Sequence, residues 1–104
     1  MPRKEASVRV AVTKKLNEYL DHGLVWFSVP ATPYSRRGVP DILGLWGGQA
    51  FAIELKSSTG ETTPLQRLFA ERWTEAGGWY AVVRGSDDLR QLLDRFEEKW
   101  GSLD

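Results

Sequence analysis

The stretch from Gly38 to Ser57 constrains the fold more than any other part of the chain. It reads Gly38-Val39-Pro40-Asp41-Ile42-Leu43-Gly44, turns at Gly47-Gly48, and continues as Ala50-Phe51-Ala52-Ile53-Glu54-Leu55-Lys56-Ser57. Two apolar runs on either side of a Gly-Gly pair are the local pattern of a β-hairpin. The spacing predicts strands over 41–46 and 50–56. Alternation along the second strand puts Phe51, Ile53 and Leu55 on one face and Ala52, Glu54 and Lys56 on the other. Three charges interrupt these runs: Asp41, Glu54 and Lys56. A charge in an apolar strand costs free energy unless something compensates it. Two carboxylates and one ammonium brought together can do so by holding a metal ion.

The rest of the chain supplies elements to pack on this hairpin. Residues 5–21 predict a helix, with Val8, Val12, Leu16, Tyr19 and Leu20 on one apolar stripe. At ~100° per residue, Glu5 falls in the centre of that stripe and Glu18 on the opposite face. Taken on the helix alone, Glu5 reads as a carboxylate favoured by the helix N-terminal dipole. His22-Gly23 is a helix stop, with His22, the one histidine, in a C-terminal capping role. Residues 24–29, β-branched and aromatic, predict a strand. Residues 30–40 form a loop that is long for so small a domain. Its Tyr34, Ser35, Arg36 and Arg37 are either phosphate contacts or an ordinary solvated loop, and the residues alone leave both readings open.

Thr63-Pro64-Leu65-Gln66 opens a helix with Thr63 as N-cap, proline at the first position and glutamine at the third. Its stripe is Leu65, Phe69, Trp73 and Ala76, with Gln66 inside it. Gly77-Gly78 ends it, a fourth strand covers 79–83, and Ser86 caps a last helix whose stripe is Leu89, Leu92, Leu93, Phe96 and Trp100. The order αβββαβα predicts an α/β domain over 1–104: a small mixed β-sheet flanked by helices, the fourth strand parallel to its partner.

Composition narrows the function classes. The chain has 104 residues, no cysteine, and 14 basic against 14 acidic side chains. Neither disulfides nor thiolate metal sites are expected. The zero net charge is not the broad basic signature of a non-specific nucleic-acid binder, so any phosphate contact falls to local patches. No apolar run is long enough to span a bilayer, and the chain reads as soluble and cytoplasmic with no membrane partner. Trp26, Phe27, Trp46 and Trp100 are candidates for core or interface.

Asp41, twelve intervening residues and Glu54-Leu55-Lys56 form a Pro-Asp…Glu-X-Lys pattern. Carboxylates from two paired strands converge across a sheet, and hard oxygen ligands of this kind suit Mg²⁺. The backbone carbonyl of Leu55 is a further candidate ligand. Lys56, on the face of Glu54, is placed to orient an attacking water or stabilise developing negative charge. The competing reading is a surface ion pair between Glu54 and Lys56.

In this pattern the chain resembles the PD-(D/E)XK nuclease superfamily and, within it, the VRR-NUC family, the virus-type replication-repair nucleases. The resemblance covers nearly the whole chain. It is carried by Glu5, by Gly38-Val39-Pro40-Asp41, by Phe51-Ala52-Ile53-Glu54-Leu55-Lys56, by Leu65-Gln66 and by Gly77-Gly78-Trp79-Tyr80-Ala81-Val82-Val83-Arg84. It implies a restriction-endonuclease-like core and a Mg²⁺- or Mn²⁺-dependent DNA endonuclease. Asp41 and Glu54 would be metal ligands, Lys56 the catalytic lysine, Glu5 an additional acidic site residue and a possible ligand, and Gln66 an accessory polar one. It further implies a homodimer of bacterial or phage origin acting on branched DNA such as Holliday junctions. Arg36, Arg37 and the basic residues of the first helix, Arg9 among them, would contact phosphates. The alternatives are a non-catalytic DNA-binding or scaffold module that kept the fold and, ranked lower, a restriction-like nuclease with base specificity.

Overall fold

The computed structural model describes residues 5–30 and 38–100, with side chains up to residue 98. It is a small α/β domain. In chain order the elements are α1 (Glu5–Asn17), a 3₁₀ turn (Leu20–His22), β1 (Leu24–Ser28), β2 (Ile42–Trp46), β3 (Gln49–Leu55), α2 (Pro64–Glu75), β4 (Trp79–Val83) and α3 (Ser86–Trp100). The four strands form one mixed sheet in the order β1-β2-β3-β4. β1, β2 and β3 are an antiparallel meander, and β4 pairs with β3 in parallel, as the intervening helix predicts.

The hairpin at the centre is closed by the pair Trp46↔Gln49 across Gly47 and Gly48. Both glycines have positive φ, 56° and 85°. That is the conformation a two-residue hairpin turn requires, and only glycine adopts it without steric cost. The turn therefore sets the register: Ile42 faces Ile53, and one step further Asp41 stands across from Glu54.

Alternation divides the sheet into two faces. Phe51, Ile53, Leu55 and Val83 are buried under α1 and α3, in one cluster with Val8, Val12, Leu16, Leu89, Leu92, Leu93 and Phe96. Phe96 is the hub, with its ring 5.2 Å from Phe51, 4.6 Å from Trp46 and 4.8 Å from Trp79. On the other face α2 covers β3 and β4, with Phe69 against Tyr80 and the indole N–H of Trp73 donating to the Trp79 carbonyl. Farther along this face, on β1 and β2, Val25, Phe27 and Leu45 are 65%, 57% and 50% exposed. Trp46 is core, whereas Phe27 is not; the side chain of Trp100 lies outside the described residues.

The first helix is shorter than its apolar stripe predicts. It ends at Asn17, and the chain tightens into the 3₁₀ turn before Gly23 (φ 88°). Tyr19 stays buried against Trp46, but Leu20, past the end of the regular helix, is exposed. Among the described residues no helix is long and apolar enough to cross a membrane.

Candidate metal centre on β3

Asp41 sits one residue before β2 and is held from several sides. Its backbone carbonyl accepts from the Val29 N–H at 2.8 Å, extending the β1–β2 ladder. Its carboxylate Oδ2 accepts from the Leu55 N–H at 2.9 Å, and Oδ1 accepts from the Arg9 guanidinium at 2.9 Å. Gly38, three residues earlier, lets this segment lie against the start of α2. Its φ is +84°, and a Cβ there would come within 2.5 Å of the Leu65 carbonyl oxygen.

Among the described residues Glu54 is the one acidic side chain in the buried set, with only 6% of its side chain exposed. Two groups reach its Oε1: Gln66 Nε2 donates at 2.9 Å, and the Lys56 ammonium stands at 3.8 Å. Its Oε2 is buried without a hydrogen-bond partner. Burial first, and then the Asp41 carboxylate across the strand pair, push the Glu54 pKa up from 4.5 to about 8. Lys56 opposes this and Glu5 adds to it. Two carboxylates in one partly dry site do not both stay ionised without a positive partner. A proton satisfies the pair, and so does a cation.

The donor set fits a hard divalent cation. Mg²⁺ is held by one or two carboxylates and keeps much of its water shell, and the orphaned Oε2 of Glu54 is an oxygen ready to accept such an ion. Asp41 and Glu54 are the residues that would hold it. For the Leu55 peptide, the hydrogen bond to Asp41 uses the N–H.

Gln66 reconciles two readings of one residue. Its backbone N–H donates to Thr63 Oγ1 at 3.2 Å and its Oε1 accepts from the Thr63 N–H at 2.9 Å, closing a capping box. The opposite end of the same amide, Nε2, holds Glu54. Capping and site support are therefore one arrangement: the box fixes the amide in the orientation that presents its donor to Glu54.

Glu5 departs from the helical-wheel expectation. It is exposed at the start of α1 rather than core-facing. Among the described residues no three or more His, Cys, Asp and Glu side chains gather as a metal-holding group. Its charge nevertheless registers at Glu54. Arg9, expected to contact phosphate, is instead paired with Asp41. Tyr34, Ser35, Arg36 and Arg37 lie outside the described residues.

One residue escaped the sequence reading. Tyr80 pairs with Ala52 in the β3–β4 register and so shares the face of Glu54. Its hydroxyl is buried and has no hydrogen-bond partner, and burial together with the charges of Glu54 and Asp41 pushes its pKa up. Alternation along Trp79–Val83 separates Tyr80 from its neighbours, but only the parallel register says which face it takes.

No protein-family model, no curated protein and no solved structure matches the chain.

Proposed function

We propose that this chain is a divalent-metal-dependent endonuclease that hydrolyses phosphodiester bonds in DNA, built on a restriction-endonuclease-like core of the VRR-NUC type. The observation that carries the reading is the pair Asp41 and Glu54. They are two carboxylates on paired chain segments; burial first, and then the Asp41 charge, raises the Glu54 pKa to about 8, and an ammonium stands 3.8 Å from Glu54. An ordinary surface ion pair does not bury its carboxylate or add a second acid beside it.

When bound, Mg²⁺ or Mn²⁺ supplies Lewis-acid polarisation of the phosphoryl group and acidifies water. The chain's own residues do the rest. Asp41 and Glu54 provide the negative charge that holds the cation. Gln66 keeps Glu54 from rotating by holding Oε1 at 2.9 Å. Lys56, only 16% exposed, keeps a positive charge beside the reacting phosphate, where it stabilises the charge that develops on oxygen.

Branched DNA such as a Holliday junction is the substrate class we favour, cut by a homodimer. A four-way junction offers two equivalent strands, and a two-fold dimer offers two equivalent sites. The uncovered apolar face of Val25, Phe27 and Leu45 supports an association of this kind. The assay is cleavage of linear, flapped and four-way DNA under Mg²⁺ and Mn²⁺, with Glu54→Gln and Lys56→Met beside the parent chain. Both variants are expected to lose about 10²–10³-fold or more in rate while remaining folded. Full activity in both sinks the site assignment. A parent chain that binds but never cuts any of these substrates points to a non-catalytic DNA-binding module.

A further inference from the structure

Arg9 holds one of the two carboxylates that the proposed function assigns to the cation, at 2.9 Å from Asp41 Oδ1. A brace is not needed there. Asp41 is already fixed by the Leu55 N–H on Oδ2 and by the Val29 N–H on its backbone carbonyl. The guanidinium therefore adds charge compensation rather than orientation.

The charge balance says what happens when a cation arrives. Two carboxylates, Asp41 and Glu54, face one ammonium, Lys56, and one guanidinium, Arg9; Glu5 adds a weaker negative influence from the start of α1. A divalent ion that takes Asp41 meets both carboxylate oxygens in use, Oδ1 by Arg9 and Oδ2 by the Leu55 N–H, and it repels the two side-chain cations beside it, so the more mobile of these gives way. Lys56 is enclosed, with 16% of its side chain exposed. Arg9 is 40% exposed, at the end of a long flexible stem. Arg9 is the group that can leave at little cost.

We propose that Arg9 is an internal counter-ion that a divalent cation displaces from Asp41, and that the released guanidinium then takes a phosphate of the DNA. Cation binding and phosphate capture are thereby linked through one side chain. The inference rests on Asp41 and Glu54 being the cation site, and it makes Arg9 a positioning residue for substrate rather than a fixed part of that site.

The test is Mn²⁺ titration by calorimetry on the full chain without DNA, for the parent, Arg9→Met, Arg9→Lys and Asp41→Asn, each checked for folding by its thermal melt. Removing a half-exposed competitor is expected to tighten Mn²⁺ binding about three- to tenfold in Arg9→Met, with Arg9→Lys in between. A second readout uses a labelled DNA duplex in a Lys56→Met background. In Mn²⁺, adding Arg9→Met should lower the salt slope of DNA binding by about one phosphate contact, and in EDTA it should leave the slope unchanged. Equal or weaker Mn²⁺ binding in Arg9→Met, or a salt slope that does not change in Mn²⁺, overturns the proposal. Loss of Mn²⁺ binding in Asp41→Asn with no gain in Arg9→Met overturns the Arg9 inference alone. A parent chain that binds no Mn²⁺ overturns the cation site together with it.

Discussion

Replacing Glu54 with glutamine removes a carboxylic acid whose ionisation the fold opposes, and the consequence is a stability that depends on pH with a defined sign. In the folded chain the Glu54 pKa is pushed from 4.5 to about 8. In the unfolded chain it is an ordinary carboxylate. Between those values the native state holds a proton that the unfolded state has released, so stability falls as pH rises through the interval. Each pH unit is worth about 1.4 kcal/mol, which bounds the effect at roughly 5 kcal/mol; relaxation and water entry bring a realistic figure nearer 2. Glu54→Gln keeps the oxygen that accepts from Gln66 and adds an amide donor towards Asp41. It should be the more stable protein at about pH 8.5 in EDTA, by about 2 kcal/mol or more, and the gap should nearly close towards about pH 5. In a domain of this size that is a melting-temperature difference of roughly 10 °C. Saturating Mg²⁺ should narrow the gap at high pH by stabilising the parent, by about 2.7 kcal/mol at a hundredfold excess over the dissociation constant, and leave the variant almost unchanged. Urea unfolding of both proteins across this pH range measures the difference directly, and other titrating groups cancel between them. A gap that is constant with pH, or of opposite sign, refutes the crowded-carboxylate account.

Two further perturbations probe the surroundings of the site. Tyr80→Phe deletes a buried hydroxyl that has no hydrogen-bond partner, so the metal-free protein should be unchanged or up to about 1 kcal/mol more stable in urea; a clear loss would mean that the hydroxyl is satisfied in solution. Gly38→Ala forces a side chain into a φ of +84° and against the Leu65 carbonyl, and should cost about 1–3 kcal/mol while pushing Asp41 away from the start of α2. A neutral result by thermal denaturation would remove that contact from the account of how Asp41 is placed.

Much of this protein is determined by local sequence. The Gly47-Gly48 turn, the alternation of Phe51, Ile53 and Leu55, the box at Thr63–Gln66 and the stripe of α3 each depend on neighbours within a few residues. The periodicities of strand and helix, and the turn and capping chemistry between them, are written there directly. The pairing of Glu54 with Lys56 was legible for the same reason, since they lie two apart at the end of β3 and just past it.

What the tertiary structure decided is everything that joins residues from different elements. Glu5 lies on the stripe by helical geometry, yet it is exposed, because burial depends on what packs against a face and not on the face alone. Arg9 meets Asp41 across 32 positions, and Tyr80 reaches the face of Glu54 through the β3–β4 register. Periodicity gives the direction of a side chain relative to its own element, but not the distance to a side chain on another. The charges of the Gly38–Ser57 hairpin were visible in the chain; that Glu54 is buried and stands near enough to Asp41 for one carboxylate to raise the pKa of the other follows from the packing of strands and helices around them.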